Sequence, residues 1–255
     1  INAATTGAIT LSTANGALTG SAANIVTAFT GTVTEHTGTV TVTNAATVAQ
    51  FNTINAETTQ NVVLSGGVTD AAAAYAATDG TTTAGLTAIA AQDGDAVITV
   101  SDAAKVAQFN TINAATTSNV VLSGGATDTA AAYAATDGTT TAGLTAIAAQ
   151  DGDVAITVSD APNVAQLVTI NAATTGAITL NVTNGALSGS AANLVSAFAG
   201  TVTTHTGAVT ISDEPSLAQL VTINAETTGA ITLSDTDGAL SGSAANLVSA
   251  FAGTV

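Results

Sequence analysis

The residues whose types and spacing could do chemistry are paired carboxylates and two histidines. Asp93-Gly94-Asp95 and Asp151-Gly152-Asp153 each hold two carboxylates around a glycine, and Asp235-Thr236-Asp237-Gly238 holds a third pair. Several oxygens on a turn suit Ca2+, a hard cation that takes oxygen ligands in number. Neither the EF-hand spacing nor the glycine-rich calcium nonapeptide is present, however. Where the first two pairs stand, other parts of the chain carry Glu35-His36-Thr37-Gly38 or Thr204-His205-Thr206-Gly207. Solvated turn residues are the plainer reading of Asp93, Asp95, Asp151, Asp153, Asp235 and Asp237, and Ca2+ is the only cofactor they suggest. His36 and His205 occupy the same place in two different units, so repetition separates them, and both are expected at the surface. No Ser sits in a Gly-x-Ser-x-Gly elbow with a recurring His and Asp. Catalysis needs unlike groups converging on one place, whereas repetition spreads one pattern evenly. The chain is read as non-catalytic.

A second set of candidates is a row of threonines: Thr10, Thr41, Thr99, Thr157, Thr179, Thr210 and Thr232. Each lies between two aliphatic residues of a strand-like stretch, which predicts an exposed row on one sheet face. A flat Thr array can order water as ice-binding β-solenoids do, or dock another molecule laterally. Val63 and Val121 interrupt the row, and Thr also simply fits a pleated surface.

Composition narrows the partners. Seventeen carboxylates stand against one base, Lys105, for a formal charge of -16. Phosphate neutralisation needs Lys and Arg, so neither nucleic acid nor an anionic membrane surface is an expected partner. Dissolved cations, divalent ones included, are the natural counter-species, and a salty medium would screen the self-repulsion. With no Cys, disulfides and thiolate metal sites are excluded. No apolar run approaches the ~18 residues that would span a bilayer.

The elements that must position these residues repeat. The phrase Thr169-Ile170-Asn171-Ala172-Ala173-Thr174-Thr175-Gly176 recurs with its Ile at Ile1, Ile54, Ile112, Ile170 and Ile223, at intervals of 53, 58, 58 and 53 residues. A period of this size signals stacked units, here 1–53, 54–111, 112–169, 170–222 and a partial 223–255, in one continuous stack. Each unit holds two strand-like stretches. The nine are Gly7–Leu11, Gly38–Val42, Gln60–Leu64, Ala96–Val100, Ser118–Leu122, Val154–Val158, Gly176–Leu180, Gly207–Ile211 and Gly229–Leu233, with short and long turns alternating. Their third and fifth positions are aliphatic, as in Ile98 and Val100, a period-two alternation that predicts half-buried strands.

The short turns, of 22 residues, carry a helical segment. Asn44, Asp102, Asp160 and Asp213 follow the strand directly and read as its N-caps. Pro162 and Pro215 are expected in its first turn, and Val164, Leu167 and Ile170 supply an apolar face. The long turns carry Ser190–Phe198, repeated at Ser21–Phe29 and Ser243–Phe251, or else Asp70–Ala77 and Thr83–Gln92, repeated at Asp128–Ala135 and Thr141–Gln150. A strand followed by a helical return, over and over, predicts an α/β repeat solenoid. It has a parallel β-sheet on one side, short helices on the other, and about two turns per 53–58-residue unit.

The phrases Gly185–Gly200 and Ser212–Leu220 resemble repeats in giant, acidic, Lys-poor surface proteins of marine cyanobacteria. Some of those proteins are linked to motility or adhesion. The resemblance implies an extracellular or cell-surface protein, often with calcium-binding repeats elsewhere. Two functions follow as expectations. The first is a structural repeat segment of an extracellular filament, sheath or giant surface protein. The second is a binding or adhesion module that uses the Thr face or the acidic loops for glycan, mineral, ice or calcium. The structural segment is favoured, because a ligand site should depart from the repeat average. Terminal repeats ordinarily carry polar caps, and neither end has one, so each is expected to stack on more of the same repeat, from this chain or another copy.

Overall fold

Strands only three residues long, most of them followed by a helix, build the protein. In the computed structural model, residues 4–253 are described; Ile1 and Val255, which mark the ends of the repeat register, lie outside them. The chain divides into two compact units, Ile1–Gly124 and Gly125–Val255. Among the described residues no helix is long and apolar enough to cross a membrane.

Unit one holds β1 (Leu18–Gly20), β2 (Val40–Val42), β3 (Val62–Leu64), β4 (Val68–Asp70), β5 (Ile98–Val100) and β6 (Val120–Leu122). Unit two holds β7 (Ala126–Asp128), β8 (Ile156–Val158), β9 (Ile178–Leu180), β10 (Leu187–Gly189), β11 (Val209–Ile211) and β12 (Ile231–Leu233). Every pairing between named strands is parallel, and the expected alternation holds: Val40 and Val42, Ile98 and Val100, and Val209 and Ile211 are fully buried. The fold is thus an α/β repeat of the solenoid kind.

Its sheets differ from the expected pattern in two ways. Of the nine stretches, eight form strands, but Gly7–Leu11 contributes only an isolated parallel bridge from Ile9 to Val33. The long turns also contain strands of their own, β1, β4, β7 and β10. These read Leu-Thr-Gly, Val-Thr-Asp, Ala-Thr-Asp and Leu-Ser-Gly, one apolar residue followed by polar ones, too short for a period-two signal. The result is four separate three-stranded sheets, β1-β2-β3, β4-β5-β6, β7-β8-β9 and β10-β11-β12, in place of one running ladder.

The sheet edge at β3 has a local cause. Val62 donates its amide to Gln92 Oε1 at 3.2 Å and Leu64 donates to Asp93 Oδ2 at 2.5 Å, so side chains take the places of a next strand. The chain then turns sharply through Gly66 and Gly67 into β4, which bridges instead to Ala46. Gly66 lies so close to the Asn44 backbone that a Cβ would collide with it, and Gly67 holds a φ of +72°. Only glycine serves at both.

The short-turn helices are α2 (Val48–Ala56), α5 (Val106–Ala114), α8 (Val164–Ala173) and α10 (Leu217–Glu226). Val164, Leu167 and Ile170 are buried as their spacing predicts, as are Leu217, Leu220 and Ile223. The long turns supply α1 (Ala22–Phe29), α9 (Ala191–Ala197) and α11 (Ala244–Ala250), or pairs: α3 (Ala72–Tyr75) with α4 (Ala84–Gln92), and α6 (Ala130–Tyr133) with α7 (Ala142–Gln150). Asp70–Ala77 and Asp128–Ala135 give only four-residue helices, because Asp70 and Asp128 end strands.

Asn44, Asp102, Asp160 and Asp213 do not cap the helices that follow them. Their Oδ1 atoms accept from Ala22 N (2.8 Å), Ala72 N (2.6 Å), Ala130 N (2.7 Å) and Ala191 N (2.7 Å), each the first amide of a helix one turn earlier. Asp70 does the same for Val48 at 3.0 Å. Adjacent rungs of a parallel ladder lie ~4.8 Å apart, so a short side chain leaving one strand reaches the helix start beside the next. Three of the following helices cap themselves through Thr47, Asn163 and Ser216, which form capping boxes with Gln50, Gln166 and Gln219, while α5 starts at Lys105, whose amide donates to Gln108 Oε1 at 3.0 Å. Pro162 and Pro215 accordingly sit just before the N-caps rather than inside the first turn.

Two outcomes follow for stability. Asp102→Ala should cost about 1–2 kcal/mol in equilibrium urea unfolding, whereas Asp102→Asn should keep most of it, since Asn44 makes the same bond. Gly66→Ala should cost about 2 kcal/mol or more, because the Asn44 backbone leaves no room for a methyl group.

Candidate functional site

The carboxylate pairs are placed by helix ends and turns. Asp93 and Asp151 are the C-cap residues of α4 and α7 and are half-buried, while Asp95 and Asp153 are exposed. Burial, the largest cause, raises the Asp93 carboxyl above its ordinary value; the bond from Leu64 opposes this, and Asp95 adds to it. Asp93 is therefore already engaged in closing the edge of β3. Asp235 and Asp237 are exposed, and Asp235 Oδ1 accepts from the Asp237 amide at 3.1 Å. Among the described residues, no group of three or more His, Cys, Asp or Glu side chains gathers closely enough to hold a metal ion.

The threonines fall into short rows, one per sheet. Thr41 pairs between Thr19 and Val63, Thr99 between Thr69 and Val121, Thr157 between Thr127 and Thr179, and Thr210 between Ser188 and Thr232. Thr41, Thr99, Thr157 and Thr210, on the central strands, are half-buried; Thr10, Thr179 and Thr232 are exposed. Thr10 lies outside any named strand. The break between sheets divides the row, so no flat array runs within a unit beyond three strands.

The histidines depart most from expectation. Both are buried, His36 at 5% exposure and His205 at 2%. Each sits at a parallel bridge, His36 to Thr58 and His205 to Thr227, with its own amide and carbonyl both bonded to the neighbouring turn. Each imidazole takes the inward side of its stretch, where it packs on a phenyl ring: Phe29 to His36 at 6.0 Å between centroids, Phe198 to His205 at 6.1 Å. His36 Nε2 and both ring nitrogens of His205 have no hydrogen-bond partner among the described residues. Burial lowers the His205 pKa below its ordinary value, partly offset by the nearby Gly185 carbonyl, which lies outside hydrogen-bond geometry. The signal in the sequence was the seven-residue step from Phe to His in both units; nothing local to the His revealed it.

His36 also lines a cavity of about 610 Å³, walled chiefly by Ile9, Leu11, Leu18, Phe29 and Val33. It is apolar, within the volume range of small-molecule sites, and holds one imidazole with an unpaired nitrogen. Among the described residues no carboxylate or nucleophile joins His36 on its wall beyond Thr13 and Thr27 hydroxyls. That set can receive an apolar group; it does not assemble an acid–base or nucleophilic pair.

The buried His205 makes a pH effect. Its pKa is lower in the folded chain than the ordinary 6.5, so the unfolded chain binds the proton first as pH falls. The stability is fully present above about pH 6.5 and is lost as pH falls from there towards the folded value. Urea unfolding between pH 7.5 and 5 should show this slope, and His205→Leu should flatten it.

Comparison with protein-family models, with curated proteins and with solved structures finds no match to this chain.

Proposed function

We propose that the chain is a structural, non-catalytic repeat segment of an extracellular filament, sheath or giant surface protein, and that its partners are further copies of the same repeat. The observation that carries this reading is where the polar side chains are spent. Asn44, Asp70, Asp102, Asp160 and Asp213 bind helix starts on the neighbouring turn. Thr58, Thr116, Thr174 and Thr227 donate hydroxyls to carbonyls about one turn back. Gln108 and Gln166, both buried, donate Nε2 to Ala76 O at 2.8 Å and Ala134 O at 2.9 Å. These bonds hold one turn to the next, and their recurrence in both units fits a part whose task is to continue a stack.

The charge of -16 and the near absence of Lys and Arg support a place outside the cell, where salt screens the repulsion and trypsin-like proteases find a single site. They also agree with the resemblance of Gly185–Gly200 and Ser212–Leu220 to acidic surface-protein repeats. Electron microscopy of the native material, before and after chelation of divalent ions, tests the proposal. Long fibres whose diffraction carries the ~4.8 Å strand spacing along the fibre axis are the expected outcome. Fibres that fall apart on chelation would assign the acidic loops to Ca2+. Discrete short particles would overturn the structural reading in favour of a binding module.

A further inference from the structure

The apolar cavity at His36 has a counterpart inside unit two, where its contents can be seen. Residues 169 positions on repeat its wall: Ile9, Leu11, Leu18, Phe29 and His36 correspond to Ile178, Leu180, Leu187, Phe198 and His205. There the same wall is covered by Ala161, Pro162 and Leu167 of the turn that carries β8 and α8, and no space is left that water could enter. The cover changes exposure as it should. Ile178, Leu180 and Leu187 are 3%, 4% and 2% exposed, whereas Ile9, Leu11 and Leu18 are only half-buried.

Two further observations point to the same missing cover. Ile178 is paired on both sides, with Ile156 and with Val202, while Ile9 is paired with Val33 alone among the described residues. The glycines give the second. A Cβ on Gly176 would collide with the backbone of Asp153 and Val154, and one on Gly185 would stand 3.0 Å from Ala161 Cβ. The counterparts of these glycines, Gly7 and Gly16, are glycine too, yet a Cβ on Gly16 would meet nothing within 4 Å and one on Gly7 only Thr5 Oγ1 at 3.5 Å. Clearance is kept where nothing described needs it.

We infer that the His36 cavity is the seat of a strand–loop–helix turn of the Gly152–Ala173 type, carried by a polypeptide segment other than residues 4–253. Its strand adds in parallel beside Ile9, a Pro at the place of Pro162 and a Leu at the place of Leu167 fill the cavity, its backbone crosses Gly7, and a methyl at the place of Ala161 lies over Gly16. Specificity is in the shape: a parallel strand edge, an apolar pocket with one imidazole, and two positions without side chains. This rests on the reading of the chain as a stacking repeat and names the surface by which it stacks.

The test is titration of the intact chain with a synthetic peptide of residues 152–173, followed by NMR of the histidine rings, since the chain has only two. Saturable one-to-one binding that shifts the His36 ring signals and leaves those of His205 in place is the expected result. A peptide with Pro162→Asp and Leu167→Asp should bind at least about tenfold more weakly, because it would bury unpaired carboxylates. Gly7→Val and Gly16→Val in the chain should abolish binding while leaving its own unfolding midpoint unchanged, which separates a blocked seat from a damaged fold. Absence of binding, equal shifts at both histidines, or binding indifferent to Gly7→Val and Gly16→Val would overturn the inference. Self-association of the chain that Gly7→Val blocks would overturn the choice of occupant and put a second copy there. None of these failures touches fibre formation, so the structural proposal stands or falls separately.

Discussion

A strand of three residues buries too little to hold itself, so within each unit the turns depend on hydrogen bonds made to the turn beside them. The carboxylates and amides just after the strands make the most telling ones. Asp102 closes the first amide of α3, a four-residue helix that could not persist alone, and Asp160 closes that of α6. A buried helix start without a partner would carry an unsatisfied donor, and a negative oxygen there also meets the favourable end of the helix dipole. One side chain therefore joins a strand, a helix and two successive turns.

The same dependence explains why side chains so often occupy the places of backbone. Gln92 and Asp93 close the edge of β3, and Thr203 Oγ1 accepts from Leu180 at the edge of β9. Parallel edges left open invite another strand, and here the exposed amides are satisfied inside the fold. Where the ladder is interrupted, glycine lets two backbones approach, as at Gly66 against Asn44. The interior meanwhile is narrow and made from small or β-branched residues, with Tyr75 and Tyr133 as its largest members. Each tyrosine is fully buried yet reaches a strand carbonyl with its hydroxyl, Thr99 O and Thr157 O respectively, and burial raises both phenol pKa values.

The features that stand out from the repeat average are the open cavity at His36 and the closed one at His205, and they are the same wall with and without its neighbouring turn. The imidazoles belong to that wall as buried residues packed on phenyl rings.

The amino-acid sequence by itself determined the parts whose signals are local. The 53- and 58-residue periods come from matching one stretch of the sequence with the next, and the alternation in Val40–Val42 or Ile98–Val100 and the apolar spacing of Val164, Leu167 and Ile170 follow from residues within one element. The same holds for Ser21 and Thr83, whose side chains cap the helices directly after them. Tertiary structure decided everything that depends on a partner 20 to 32 residues away. It assigned Asp102 to α3 rather than to α5, made strands of Leu18–Gly20 and Val68–Asp70, turned His36 and His205 inward, and cut the ladder into four sheets. The physical reason is common to all of these. A capping oxygen, a one-residue bridge or a three-residue strand gains its stability from the groups on the next turn, and those groups leave no mark on the residues around it.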